Sequence, residues 1–79
     1  MARIDLNNIN RIDKHRNTIH EKVHATYTVF ETDGKRFVQF DTYGKTDREM
    51  PEKISQSFQI DEATAEYLIS LLREEFHLR

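Results

Sequence analysis

The segment 23–44 alternates apolar and polar residues on both sides of a central Asp-Gly dipeptide. This pattern predicts a two-residue β-hairpin turn at Asp33-Gly34, because a type I′ turn needs positive φ at both central positions. Thr32 then faces Lys35, and this pairing fixes the register. The register places the aliphatic side chains on one face. The predicted pairs on that face are Val29 with Val38 and Tyr27 with Phe40.

The opposite face of the predicted hairpin mixes aromatic, hydroxyl, amide and charged side chains. Its predicted pairs are Phe30 with Phe37, Thr28 with Gln39, Thr26 with Asp41, and His24 with Tyr43. This composition is neither that of a core nor that of an ordinary solvated surface. The function of the chain therefore depends on what this second face contacts.

A further strand and a helix follow the hairpin. Residues 53–60 alternate again, with an inward set (Ile54, Phe58, Ile60 and, exceptionally, Gln56) and an outward set (Lys53, Ser55, Ser57, Gln59). Asp61 is a favourable N-cap for the helix that follows. The apolar stripe of that helix has helical spacing: Ala65, Leu68, Ile69, Leu72 and Phe76.

These elements predict an α+β fold with an antiparallel sheet of three to four strands, one face of which is covered by the C-terminal amphipathic helix. We expect a single domain, 1–79. Residues 1–20 form an N-terminal arm or a short helix capped by Asp5, residues 21–60 the sheet, and residues 61–78 the C-terminal helix.

Length and composition narrow the class of protein. A chain of 79 residues has room for a small core, so homodimerisation is expected to bury more surface. It contains no cysteine, which excludes disulfides and thiolate metal sites and fits a reducing cytoplasm. No apolar run approaches membrane-spanning length. The formal net charge is −2, with a basic start (residues 1–24) and an acidic end (residues 61–79).

The sequence offers no catalytic arrangement, and we expect neither enzyme activity nor a cofactor. His20, Glu21 and His24 match the spacing of the zincin H-E-x-x-H motif, but that motif acts on a helix within a much larger domain. Surface histidines are the simpler interpretation, and no metal site is predicted. The polar loop "TDREMPEK" has the composition of an exposed charged loop.

The second face has residue types that hold single-stranded nucleic acid, since bases stack on aromatic rings while basic and polar groups contact the backbone. The candidate contacts are Phe30, Phe37 and Tyr43 for bases, Lys35, Arg36 and Lys53 for phosphates, and Gln39, Ser55 and Ser57 beside them. Arg11, Lys14 and Arg16 of the arm are further candidates. Alternatively, Phe30 and Phe37 stabilise the hairpin as a cross-strand pair, form a homodimer interface, or are covered by the N-terminal arm.

The segments "FDTYG" and "KISQSFQ" give the chain a resemblance to small bacterial proteins labelled methionyl-tRNA formyltransferase-like. The resemblance runs from about residue 36 to residue 76. True formyltransferases are several times longer and have a nucleotide-binding-like catalytic domain and an Asn/His/Asp active site. The label therefore implies no formyltransferase activity here, and no catalytic residue is carried over.

In architecture, the hairpin, the further strand and the Asp-capped helix are similar to the transcriptional coactivator family that binds single-stranded DNA as a dimer. That likeness implies aromatic and basic residues on an open sheet face. By position, the nearest equivalents here are Phe30, Phe37, Tyr43, Lys35, Arg36 and Lys53.

We therefore predict a non-enzymatic module that binds single-stranded nucleic acid through the second face as a homodimer. The alternative is a protein-interaction module, such as an accessory subunit or a phage or host-defence factor, that uses the same face.

Overall fold

The computed structural model describes residues 1–44 and 53–79. Its elements, in chain order, are β1 (Ala2–Arg3), a 3-10 helix (Leu6–Asn8), β2 (Ala25–Thr32), β3 (Lys35–Tyr43), β4 (Ile54–Asp61) and α1 (Glu62–Glu75). The strands form a single sheet in the order β1-β4-β3-β2. The α+β class is confirmed. Most of the predicted "TDREMPEK" loop lies outside the described residues.

The β2–β3 hairpin has the predicted register at every position. Asp33 and Gly34 occupy the bend, with φ of 53° and 73°. Both angles lie in the left-handed region, which Gly enters freely and Asp tolerates better than most residues. Thr32 pairs with Lys35, Val29 with Val38, and Phe30 with Phe37. The turn chemistry therefore sets which side chains share a face.

The sheet is mixed, whereas an antiparallel sheet was expected. β3 pairs antiparallel with both β2 and β4, but β1 runs parallel to β4, with Ala2 opposite Phe58 and Arg3 opposite Gln59. The amide of Ile4 donates to the carbonyl of Gln59 at 3.0 Å and extends this pairing. A strand of two residues is too short to carry a period-two signal, so alternation cannot reveal it.

The rest of the N-terminal segment forms one helical turn and then extended chain. Asp5 caps the 3-10 helix as predicted, since its side chain accepts a hydrogen bond from the amide of Asn7. The turn ends at Asn8, consistent with the preference of Asn for caps and turns. Residues 10–24 are all exposed and contain no helix or strand. β2 therefore begins at Ala25, four residues after the expected start of the sheet.

Helix α1 starts where the sequence predicts and ends slightly earlier. Asp61 is the N-cap and accepts a hydrogen bond from the amide of Thr64 at 2.8 Å. At the other end, His77 has φ of 55°, and the amide of Leu78 donates to the carbonyl of Arg73 at 2.9 Å. This is a left-handed helix stop with a histidine where glycine is usual. The helix consequently ends at Glu75, not at residue 78.

Helix α1 covers much less of the sheet than expected. It contacts β4 and the 3-10 helix, and its Ala65 lines a cleft with Val38 and Ile60 at one end of the sheet. Farther along the same face, Tyr27 is 71% exposed and Phe58 is 40% exposed. The predicted covering of that face is therefore confined to the end where the helix begins. The rest of α1 runs toward the arm instead: Tyr67, Leu71 and Leu72 line a cleft with residues of the arm, and Glu75 pairs with Arg11.

Candidate functional site

The two faces of the sheet differ sharply in chemistry. We call the first the apolar face, which carries Tyr27, Val29, Val38, Phe40, Phe58 and Ile60. We call the second the polar face, which carries Thr26, Thr28, Phe30, Phe37, Gln39, Asp41, Tyr43, Ser57 and Gln59. The register shifts between Thr42 and Tyr43, so Ile54 lies opposite Tyr43 and not on the inward side as expected, and Ser55 has no residue directly opposite it. Successive side chains along a strand point to opposite faces, so the hairpin register decides this division.

A chain of side-chain hydrogen bonds crosses the polar face. Gln59 donates to the side-chain oxygen of Gln39 at 2.8 Å, and Gln39 donates to Asp41 at 3.0 Å. The hydroxyl of Ser57 also donates to Asp41, which is only 5% exposed. A free carboxylate on this face would repel phosphate, but Asp41 accepts hydrogen bonds from two donors and is buried between the strands. The outer groups of the face are thus amides and hydroxyls on adjacent strands.

The aromatic pair lies at the hairpin end of the polar face. The rings of Phe30 and Phe37 stack with centroids 5.5 Å apart and an interplanar angle of 22°. The guanidinium carbon of Arg3 lies 5.5 Å from the centroid of Phe37, which is 9% exposed. Phe37 also sits opposite Asp61, where α1 begins. Phe37 is therefore a packed ring, whereas Phe30 is only half-buried.

Tyr43 lies at the far end of the polar face, where it contacts His24 and Thr26. Its ring lies 5.1 Å from that of His24, tilted by 38°. Its hydroxyl is 3.1 Å from the hydroxyl of Thr26. The predicted opposition of His24 and Tyr43 is thus realised, and the tyrosine is held in a fixed orientation at the edge of the face.

The predicted cations do not all share one side. Lys35 alternates onto the polar face, whereas Arg36 lies on the opposite side and pairs with Glu31 at 3.4 Å. Lys53 is exposed immediately before β4. The structure brings Lys35 together with the aromatic pair, and it separates Arg36 from them.

Within the arm, Arg11 pairs with Asp13 at 3.5 Å and with Glu75 at 3.8 Å. The backbone carbonyl of Lys14 accepts a hydrogen bond from the side-chain amide of Asn17 at 2.9 Å. Lys14 and Arg16 have exposed side chains. The arm therefore places Arg11 beside α1. The ion pairs of Arg11 are with Asp13 and Glu75, and they do not bring it to Phe30 or Phe37.

Sequence analysis missed Arg3 and Met1 as members of the polar face. β1 places Arg3 over Phe37, and the sulfur of Met1 lies 3.9 Å from the amide nitrogen of Gln59. The only available signal was the short alternation of Arg3 and Asp5 with Ile4 and Leu6. That signal is too brief to predict a strand.

Sequence analysis also assigned the apolar face wholly to the core. The structure instead shows an aromatic row across three strands on that face. The ring of Phe40 lies 6.5 Å from that of Tyr27 and 5.2 Å from that of Phe58. The register predicted the alignment of Tyr27 with Phe40, but the accessibility of the row followed from the direction of α1.

Two carboxyl groups have shifted acidities, and both are structural caps. The hydrogen bond from the amide of Thr64 holds the pKa of Asp61 below its ordinary value. The side-chain amide of Asn8, followed by the backbone amide of Asn7, lowers the pKa of Asp5. Each shift arises because donors stabilise the ionised carboxylate at a helix start. Neither group is poised near neutral pH for proton transfer.

Among the described residues, no cluster of three or more His, Cys, Asp or Glu side chains is placed to hold a metal ion. Over the same residues, no helix is both long and apolar enough to cross a bilayer.

A scan against protein-family models, a search of curated proteins and a search of solved structures each found no match to this chain. The two resemblances drawn from the sequence therefore stay predictions.

Proposed function

We propose that this chain is a non-enzymatic binding module that holds single-stranded nucleic acid on its polar face. The observation that carries the proposal is the row of amide and hydroxyl groups across β3 and β4, which lies beside a half-buried aromatic ring. Proteins that bind single strands without reading a duplex combine ring stacking with polar and cationic contacts to the backbone. The polar face has both components on adjacent, hydrogen-bonded strands.

In this proposal the stacking position is Phe30. Phe37 supports that ring from one side and is itself covered by Arg3, so it acts as a packed base for the stack. Tyr43, at the other end of the face, offers a second ring. Each stacked base contributes about 1–3 kcal/mol.

The phosphate contacts come from cations around the rim of the polar face. Arg3 and Lys35 flank the aromatic pair, and Lys53 lies before β4. Arg36 is not part of this set because it lies on the other side with Glu31. Three phosphate contacts predict modest affinity and a marked dependence on salt.

The experiment is fluorescence anisotropy of a labelled single-stranded oligonucleotide at low and at physiological salt. We expect Phe30→Ala to weaken binding about 5- to 100-fold, the loss of one stacked base. Lys35→Gln should reduce the salt slope by about 0.7, one released counterion. Tyr67→Ala and Arg73→Gln, which remove an aromatic and a cation from α1, are the matched controls and should change neither quantity. Absence of binding at low salt would end the proposal.

A second candidate function rests on a different observation. The apolar face carries the aromatic row of Tyr27, Phe40 and Phe58, in which Tyr27 is 71% exposed and Phe58 is 40% exposed, and contiguous exposed apolar side chains are typical of interaction sites. This favours a protein-interaction module, with the contact on the apolar face instead of the predicted second face. Failure of nucleic-acid binding together with an intact fold would leave this candidate standing.

A further inference from the structure

Within the described residues, two apolar surfaces are only partly covered. The first is the apolar face, on which Tyr27 and Phe58 are exposed. The second is a helix stripe formed by Ala65, Ile69, Leu72 and Phe76, of which Ile69 is 50% exposed and Phe76 is 69% exposed. Leu72 also lines the cleft between α1 and the arm. Ala65 borders Val38 and Ile60, so the stripe continues from the apolar face. An amphipathic helix and a one-sided sheet each need an opposing layer.

The accessible surface area of the chain is larger than that of a compact monomer of the same mass. The accessible area is 7767 Å², whereas a compact monomer of 9.5 kDa exposes about 5,000 Å². The radius of gyration is 15.1 Å, against about 12 Å for a compact chain of this length. Part of the excess belongs to residues 10–24, all of which are exposed. The whole surplus is about 2,700 Å², whereas one partner of a large obligate homodimer buries about 1,000–2,500 Å².

We propose that a second copy of this chain covers the apolar face, and that its helix stripe lies across the aromatic row. In a two-fold dimer, each helix then crosses the sheet of its partner, and both partly covered surfaces are satisfied by the same contact repeated twice. This inference does not depend on nucleic-acid binding, because the apolar face and the polar face lie on opposite sides of the sheet.

The dimensions of the two surfaces match. The stripe from Ala65 to Phe76 spans eleven residues of helix, about 17 Å. The aromatic row crosses three strands, about 10 Å between the outer strand axes, and a packed helix is about 10 Å wide. One helix is therefore wide enough to cover the row. Among the residues that the structure describes, the rival occupant is the arm, whose exposed apolar side chains include Ile12, Ile19 and Val23. These are too widely spaced to cover three aromatic rings together.

The test begins with sedimentation equilibrium of the full chain. We expect a two-chain mass. Tyr27→Glu and Ile69→Glu should each raise the dissociation constant at least tenfold, because they place a charge in the buried centre of the contact. The matched controls are the neighbouring exposed positions, Thr28→Glu and Ser70→Glu, which should leave the dissociation constant unchanged. A single-chain mass at all concentrations overturns the inference. A dimer that is equally insensitive to all four substitutions also overturns it.

Two further measurements apply even where a charged variant does not fold. The melting temperature of the unmodified protein should rise with protein concentration, as it does when unfolding and dissociation are coupled. In a sample refolded from equal amounts of ¹³C-labelled and unlabelled chains, nuclear Overhauser contacts between the methyl groups of Leu72 and the ring of Phe58 should arise between chains. A melting temperature independent of concentration, or contacts found only within a chain, contradicts the proposal.

Discussion

Single residues in left-handed backbone conformations set where the elements turn. Asp33 and Gly34 adopt positive φ at the hairpin bend, and His77 adopts it after α1. The hairpin uses residue types suited to this region. The helix end does not, since a side chain with a Cβ is strained there.

Replacing His77 with glycine should therefore stabilise the fold. Relief of a left-handed non-glycine residue is worth up to about 1 kcal/mol. For a domain of this size, that corresponds to an increase of about 4–8 °C in the melting temperature. The measurement is thermal unfolding followed by circular dichroism. His77→Ala keeps the Cβ while removing the ring, so it should give no such gain. An equal gain from both variants would show that the imidazole, not the backbone, is the source of the strain.

Capping at the residue scale also makes the fold sensitive to acid. The pKa of Asp61 is lowered in the folded chain, so the ionised form binds the helix start more strongly than the neutral form does. A group with a depressed folded pKa stabilises the fold above its unfolded pKa, near 3.8, and loses that contribution as the pH falls through the lower folded value.

We expect the urea midpoint to fall steeply below about pH 4. Asp61→Asn keeps an oxygen acceptor for the amide of Thr64 but cannot ionise, so it should flatten this part of the profile. Asp13→Asn, at an exposed carboxylate of the arm, is the control and should leave the slope unchanged. A profile for Asp61→Asn that parallels the unmodified protein would mean that the cap does not contribute through its charge.

At the scale of elements, the sequence predicts those features that a few neighbouring residues determine. The Asp-Gly turn, the strand alternation and the Asp61 cap are each written within a few residues, and the hairpin register and the helix start agree with them. β1 was missed because two residues carry no period. Its partner strand β4 is more than fifty residues away, so nothing local indicates the parallel pairing.

The difference between features set by neighbouring residues and features set by distant contacts also explains which parts of the candidate site were predicted. The sequence placed Phe30, Phe37 and Gln39 on one face, because the register alone determines that. The alternative in which the N-terminal arm covers these rings agrees with the position of Arg3 over Phe37, but the strand that places Arg3 there was not predicted. The sequence also led us to expect α1 to cover the apolar face within one chain. The hydrophobic pattern identifies which surfaces need an opposing layer. It does not determine whether the same chain or a second copy supplies that layer.

At the scale of the whole molecule, the two proposals use opposite sides of one sheet. If the apolar faces are joined in a dimer, the two polar faces point away from the interface and both remain accessible. A dimer then carries two sites for single strands. A strand long enough to reach both sites binds the second one as an intramolecular event, at an effective concentration set by its length.

This arrangement predicts a dependence on oligonucleotide length. Strands of about 8 nucleotides should bind with a stoichiometry of two per dimer, since one module of this kind contacts about 4–16 nucleotides. Strands several times longer should bind one per dimer and up to about 100-fold more tightly. Isothermal titration calorimetry measures both quantities, and a duplex of the longer sequence serves as the control, because its paired bases cannot stack on Phe30. Equal affinity per site at every length would mean that the two polar faces do not act together, and one short strand per dimer would place the binding site across the two-fold axis instead.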